Sequence, residues 1–251
     1  MKLNKIYNED CIETMKRMPE GFVDLTVTSP PYFNAREYSQ YGSIEEYRAS
    51  MSQVFEELLR VTKPAHYFAL NVSPVLIPRA KRSASSQRVP IPFHLTCDAE
   101  NVGWRFIDDI IWIKPAGAAK NRVGGFEQHR KPRGYKPNIV TEYILIFQKP
   151  APYLVDKTMK PHSLVETFER TNVWSINPET KSQHPAPYPV GLAERTIRYY
   201  SYEQEVVYNP FMGSGTTAKA CQGLNRNYIG SEISKEYCDI AEKRLAQEVL
   251  L

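Results

Sequence analysis

A chain of 251 residues and 28.9 kDa suits one large α/β domain, and 42% hydrophobic with 24% charged residues is ordinary for a globular protein. No apolar run approaches the roughly 18–20 residues of a membrane span, and "MKLNKIYNED" lacks a signal-peptide core, so a cytoplasmic location without membrane contact is expected. Cys11, Cys97, Cys221 and Cys238 form no CxxC pair and the five histidines no HExxH pattern, so neither a disulfide frame nor a metal is expected.

The elements follow in chain order. Strands are predicted at Lys5–Tyr7 and Asp24–Thr28, the second stopped by Ser29-Pro30-Pro31-Tyr32. Adjacent prolines cannot donate to a ladder and fix φ, so they make a stiff turn. "SIEEYRASMSQVFEELLRV" reads as a helix, with Ser43 and Glu46 as a capping box and an apolar stripe at Ile44, Tyr47, Met51, Phe55, Leu58 and Leu59. It should end at Lys63-Pro64. Further strands are predicted at Tyr67–Asn71, Asp109–Ile113 and Tyr143–Phe147, the last two paired as antiparallel neighbours because no helical pattern separates them. From Pro150 to Pro189 the pattern dissolves into proline-rich polar sequence, read as a small insertion or long irregular connection. A strand at Val206–Tyr208 then leads into Asn209-Pro210-Phe211, Gly213-Ser214-Gly215 and a helix opening at Thr216 and Thr217. A strand at Tyr228–Gly230 ends near Glu232, and a final helix over Ser234–Gln247 lines up Tyr237, Ile240, Ala241 and Leu245 as a core stripe.

Short, nearly continuous apolar strands alternating with helices imply a doubly wound, mostly parallel sheet, here of seven strands with one antiparallel. We read one domain over residues 1–251.

The formal net charge of +4 says little, but the bases are bunched. "RAKRSASSQR" holds Arg79, Lys81, Arg82 and Arg88 without an acid. Between Lys114 and Lys136 the bases Lys114, Lys120, Arg122, Arg130, Lys131, Arg133 and Lys136 face only Glu127. Such loops suit contact with a phosphate backbone. The segments 115–136 and 150–183 are the expected DNA-facing, target-recognising loops.

The glycine loop matches neither GxxxxGK[ST] nor GxGxxG. A strand, a GxG turn, a helix N-terminus and an acid about twenty residues on are nonetheless how a doubly wound fold holds an adenosine-containing cofactor. Joined to Ser29-Pro30-Pro31-Tyr32 and the basic loops, they point to methyl transfer onto a nucleic-acid base. Exocyclic amino groups are poor nucleophiles because the nitrogen lone pair is delocalised into the ring. The Ser29 hydroxyl and the Pro30 carbonyl can accept hydrogen bonds from the amino N–H groups and turn that lone pair toward a methyl donor. Tyr32 offers an aromatic face for a base removed from its stack. Methylation at carbon 5 would need a thiolate, usually presented as Pro-Cys, and none of the four cysteines follows a proline.

These residues resemble the β-class amino-group DNA methyltransferases, in which the catalytic motif precedes the cofactor-binding motif. The matching stretches are "YNEDCIETMKRMPEGFVDLTVTSPPY", "HPAPYPVGLAERTI", "FMGSGTT" and "YIGSEISKEYCDIAEKRL". The resemblance implies a Rossmann-like S-adenosylmethionine-dependent fold in permuted motif order. It implies that Asp10 and Cys11 contact the cofactor's adenine and that Ile12 packs on its ring. Thr28, Asn209, Pro210, Phe211, Gly213, Ser214, Gly215 and Thr216 would surround the adenosyl and methionine parts, with Glu232 on the ribose. Ser29, Pro30, Pro31 and Tyr32 would receive the base. Asn209 stands where many relatives carry Asp.

Ser at the first motif position is typical of the family's cytosine-N4 members, whereas adenine-N6 members more often carry Asp or Asn. Cytosine N4 is therefore the expected acceptor, with adenine N6 the alternative. Double-stranded DNA is the expected partner; pairing with a restriction endonuclease and a homodimer are left open. A dinucleotide-dependent oxidoreductase and an inactive DNA-binding module are the competing classes, and neither gives Ser29-Pro30-Pro31-Tyr32 a use.

Overall fold

A computed structural model describes residues 1–33, 40–77, 81, 87–115, 132–133, 137, 139–152, 168–179 and 188–246. The elements are β1 (Lys5–Tyr7), α1 (Cys11–Lys16), β2 (Val23–Thr28), α2 (Ile44–Val61), β3 (Thr62–Val72), β4 (Val75–Ile77), β5 (Gln87–Val89) and α3 (Ile91–Val102). They continue as β6 (Arg105–Ile113), β7 (Thr141–Gln148), β8 (Val173–Ser175), α4 (Val190–Tyr200), β9 (Val206–Asn209), α5 (Thr216–Gly223), β10 (Asn227–Ser231) and α6 (Lys235–Ala246).

Every residue of β2 is buried, because the sheet is covered on both faces. Alternate side chains enter different cores. Phe68, Leu70 and Val72 of β3 and Tyr208 of β9 pack with α1, α2 and α3. Ala69 and Val207, one residue out of step, pack on the other face with α4, α5 and α6. This is the doubly wound arrangement read from the sequence.

The main sheet runs β1-β10-β9-β2-β3-β7-β6-β8, and β4 pairs with β5 in a separate hairpin. Among the described strands of this sheet only β7 runs against its neighbours, β3 and β6, as expected for the runs beginning at Asp109 and Tyr143. Among the described residues the sheet has eight strands rather than seven. The addition is β8, three residues inside the stretch read as irregular, whose Trp174 pairs with Trp112 of β6. A strand this short is decided by its partner, not by its own pattern.

The serine half of the capping box forms, Ser43 Oγ accepting from the Glu46 amide at 3.1 Å, while Glu46 accepts from the amide of Gly42, one residue before the cap, at 2.8 Å. Helix α2 stops at Val61, two residues before the expected Lys63, and the chain passes directly into β3. Pro64 disfavours a helical conformation at Lys63, and Ala65 turns to φ +63°. The β2–β3 register slips there, Val23 opposing Thr62 but Leu25 opposing Tyr67. Among the described residues no helix is long and apolar enough to cross a membrane.

Candidate active site

The loops leaving the carboxyl ends of β1, β2, β9 and β10 lie side by side, where parallel sheets gather ligands. With α2 they enclose a cleft of about 440 Å³, a size usual for small-molecule sites.

Asp10, Cys11 and Ile12 line one end. Asp10 is also the N-cap of α1, its Oδ1 accepting from the Ile12 amide at 2.8 Å. Burial pushes the Cys11 thiol up to about 12, so it packs as a neutral thiol and offers no thiolate.

The ends of β1 and β10 are laced together. The Glu232 amide donates to the Tyr7 carbonyl at 3.0 Å, and Asn8 Nδ2 donates to the carbonyls of Glu232 and Ile233 at 2.9 and 3.0 Å. The Glu232 carboxylate lines the cleft. Its Oε2 accepts from the Gly213 amide and its Oε1 from the Ser234 amide, each at 2.8 Å. Burial raises its pKa and these backbone donors oppose the rise. Each oxygen keeps a further lone pair for a hydroxyl in the cleft.

The two glycines act differently. Gly213, at φ +54°, brings its amide to Glu232. Gly215, at φ +83°, is not on the cleft wall; a Cβ there would meet the Ala241 Cβ of α6 at 2.9 Å. Pro210, Phe211, Ser214 and Thr216 do line the cleft, and Arg244 donates to the Thr216 hydroxyl at 3.2 Å.

Thr28 and Asn209 lie off the cleft wall as a buried brace. Thr28 Oγ1 and the Phe211 amide donate to Asn209 Oδ1 at 2.7 and 2.9 Å, and Asn209 Nδ2 donates to Thr217 Oγ1 at 2.8 Å. That hydroxyl also bonds Tyr188. The amide serves both ends of this brace, its oxygen accepting from Thr28 and Phe211 and its nitrogen donating to Thr217.

Ser29, Pro30, Pro31 and Tyr32 share the same cleft. The Tyr32 hydroxyl donates to Glu142 Oε2 of β7 at 3.2 Å, and Lys114 pairs with Glu142 Oε1. Burial and the Glu142 carboxylate hold the Tyr32 phenol well above its ordinary pKa, hence protonated.

Other cleft residues escaped the sequence reading, among them Glu9, Tyr41 and Gln53, while Tyr188 comes from the stretch "HPAPYPVGLAERTI" matched by resemblance. Tyr237, assigned to a core stripe, instead lines the cleft one turn into α6; Cys238, Ala241 and Leu245 form the buried stripe. An aromatic just beyond the strand-ending acid was the available signal.

Of the candidate DNA-contacting bases, Lys81 and Arg133 are exposed. Arg79, Arg82, Lys120, Arg122, Arg130, Lys131 and Lys136 lie outside the described residues. Lys114, counted with the basic loop, is matched by Glu142 and sits 4.6 Å from the Trp112 ring centre. One group of potential metal ligands, Asp24, His66 and Glu205, occurs among the described residues. It sits at the amino ends of β2 and β9, away from the cleft, and the Lys63 ammonium already pairs with Asp24.

A family model for the N6/N4 methyltransferases, named DNA methylase, matches residues 23–243. The chain belongs to this DNA methylase family. The methylase is 33% identical over 265 residues to the orphan methyltransferase M.BamHII of Bacillus amyloliquefaciens, covering 91% of each chain. It is 30% identical over 259 residues to the type II methyltransferase M.BglII of Bacillus subtilis, covering 98% of this chain and 70% of that one. The solved structure of TTHA0409 from Thermus thermophilus, complexed with S-adenosyl-L-methionine, matches with a TM-score of 0.78 at 26% identity, over 98% of this chain and 94% of that one. The β-class resemblance and the Rossmann-like fold read from the sequence are thus both correct.

Proposed function

We propose that this DNA methylase transfers a methyl group from S-adenosylmethionine to the exocyclic N4 amino group of cytosine, on a base turned out of double-stranded DNA. The observation that carries this reading is that Ser29-Pro30-Pro31-Tyr32 and the Glu232–Gly213 pocket open into one cleft.

The cleft residues suit S-adenosylmethionine. Glu232 retains lone pairs for ribose hydroxyls, and Ile233, 77% exposed yet on the cleft wall, offers apolar surface that an adenine ring would cover. Bound there, the cofactor supplies an electrophilic methyl group on a sulfonium. The remaining work belongs to the chain. Tyr32 stacks on the extruded base. Ser29 Oγ and the Pro30 carbonyl accept from the amino group, so the nitrogen lone pair turns toward the methyl donor. Serine at position 29 favours cytosine, following the pattern of the family's N4 members.

Topology supports the placing of DNA. The basic segments 78–86 and 114–140 join β4 to β5 and β6 to β7, and both β3 and β6 run toward the cleft edge. The segment after β8 leaves from that edge too, whereas β7 ends and β8 begins at the opposite one. We therefore assign DNA contact to 78–86, 114–140 and 176–187. The names of the relatives, orphan and type II, support action either alone or beside a restriction endonuclease.

The test uses labelled S-adenosylmethionine and amplified, unmethylated bacterial DNA. The native protein should label the DNA. Ser29→Ala should slow single-turnover transfer on the order of 100-fold while calorimetry finds cofactor affinity unchanged. Full activity in Ser29→Ala would overturn the acceptor role.

A further inference from the structure

Stacking a base asks only for the face of the Tyr32 ring, yet this ring is held at both ends. At its backbone end two prolines with fixed φ lead into it, and its flank packs against the core formed with α1, α2 and α3. At its far end the hydroxyl donates to Glu142 Oε2 of β7 at 3.2 Å, and Lys114 pairs with Glu142 Oε1. The side chains of Glu142 and Lys114 are 14% and 23% exposed, so little water competes for them. A carboxylate acceptor makes the phenol's bond charge-assisted and stronger than one between neutral groups.

The tie leads on to the stems of two segments assigned to DNA. The Lys114 amide donates to the Val140 carbonyl at 2.7 Å, closing the β6–β7 ladder where the first segment leaves it. The Lys114 ammonium sits 4.6 Å from the Trp112 ring centre, and Trp112 Nε1 donates to the Ile176 carbonyl at 2.8 Å. Ile176 opens the segment that leaves β8, and its amide donates to the Ile113 carbonyl at 3.3 Å. We propose that Glu142, anchored by Lys114, is a positioning residue that fixes the Tyr32 ring from its hydroxyl end and ties it to the stems of the segments 114–140 and 176–187. A phenol ring held only by its backbone turns about two side-chain torsions, and a base stacking on it must first stop that motion. Held at both ends, the ring presents one face before the base arrives, on the framework that carries the DNA-facing segments. This inference rests on the reading of Tyr32 as the base-receiving ring and of those segments as DNA-facing.

The test is single-turnover methylation of amplified, unmethylated bacterial DNA with labelled S-adenosylmethionine, beside filter binding for DNA and calorimetry for the cofactor. Tyr32→Phe keeps the stacking face and loses only the tie. At saturating DNA it should be slower than the native protein by about 10-fold, with both affinities unchanged. Lys114→Met combined with Glu142→Met cuts the tie from its other end, and an apolar pair replaces a buried ionic one at little cost in stability. Its rate should fall by the same factor. Both changes sever one connection, so adding Tyr32→Phe to that combination should slow it no further. An ion pair that merely braces the strands gives a different pattern. The combination then loses DNA affinity while its rate at saturating DNA stays native, and Tyr32→Phe changes nothing. Either of those results, or a triple variant slowed by the product of the two factors, overturns the proposal. A native rate in Tyr32→Ala, which removes the ring itself, or no methyl transfer by the native protein, instead overturns the base-receiving reading on which the proposal stands.

Discussion

Glu232 carries the residue-scale argument most plainly. Its carboxylate fixes the glycine loop through the Gly213 amide and faces the cleft with its remaining lone pairs. Only the ionised form accepts on both oxygens. Burial raises its pKa from the ordinary glutamate value, so protonation begins at a higher pH than for an exposed glutamate. S-adenosylmethionine affinity should therefore weaken as pH falls through the mildly acidic range. Glu232→Gln should bind more weakly at neutral pH and show little of that dependence. Calorimetric titrations across pH check this; an unchanged pH slope in Glu232→Gln would place the titrating group elsewhere. Residues of this kind were legible because acid, glycines and spacing stand together in the chain. Glu142 was not, since nothing local in "TEYILIFQ" marks which strand position faces Tyr32.

At the scale of elements, legibility followed local signal more than length, since β1 was read although it has three residues. The capping box and apolar stripe of α2 declare a helix without help from the rest of the chain. By contrast β4, β5 and β8 are three residues each, and their pairing partners decide their conformation. Helices α3 and α4 begin beside prolines without a side-chain cap, so the usual start signal is missing. Gly215 shows how an element contact can pass for a ligand contact. Its left-handed φ and its approach to Ala241 bring α5 against α6. Gly215→Ala should lose at least about 1–2 kcal/mol from the backbone alone, read by denaturant unfolding. Ala241→Gly in the same chain removes the clashing Cβ and should recover part of the loss. If the pair is no more stable than Gly215→Ala alone, close packing is not what position 215 requires.

Across the whole molecule, the order β1-β10-β9-β2-β3 brings together pieces that are far apart in the chain. Thr28 and Asn209, 181 residues apart, share a hydrogen bond directly behind the Ser29-Pro30-Pro31-Tyr32 turn. Parallel pairing of β2 with β9 makes Ser29 and Gly213 neighbours at one sheet edge, and the connections from that edge carry most of the clustered bases. The permuted motif order is therefore of no consequence to the site, because the sheet restores the adjacency that the chain order hides. The central claim is that this shared edge delivers a methyl group to the amino nitrogen of cytosine. Its most direct measurement is mass spectrometry of nucleosides from unmethylated DNA incubated with the protein and isotopically labelled S-adenosylmethionine. N4-methylcytosine carrying the label is the expected result; label on adenine N6 or on cytosine carbon 5, or no labelled nucleoside at all, would contradict it.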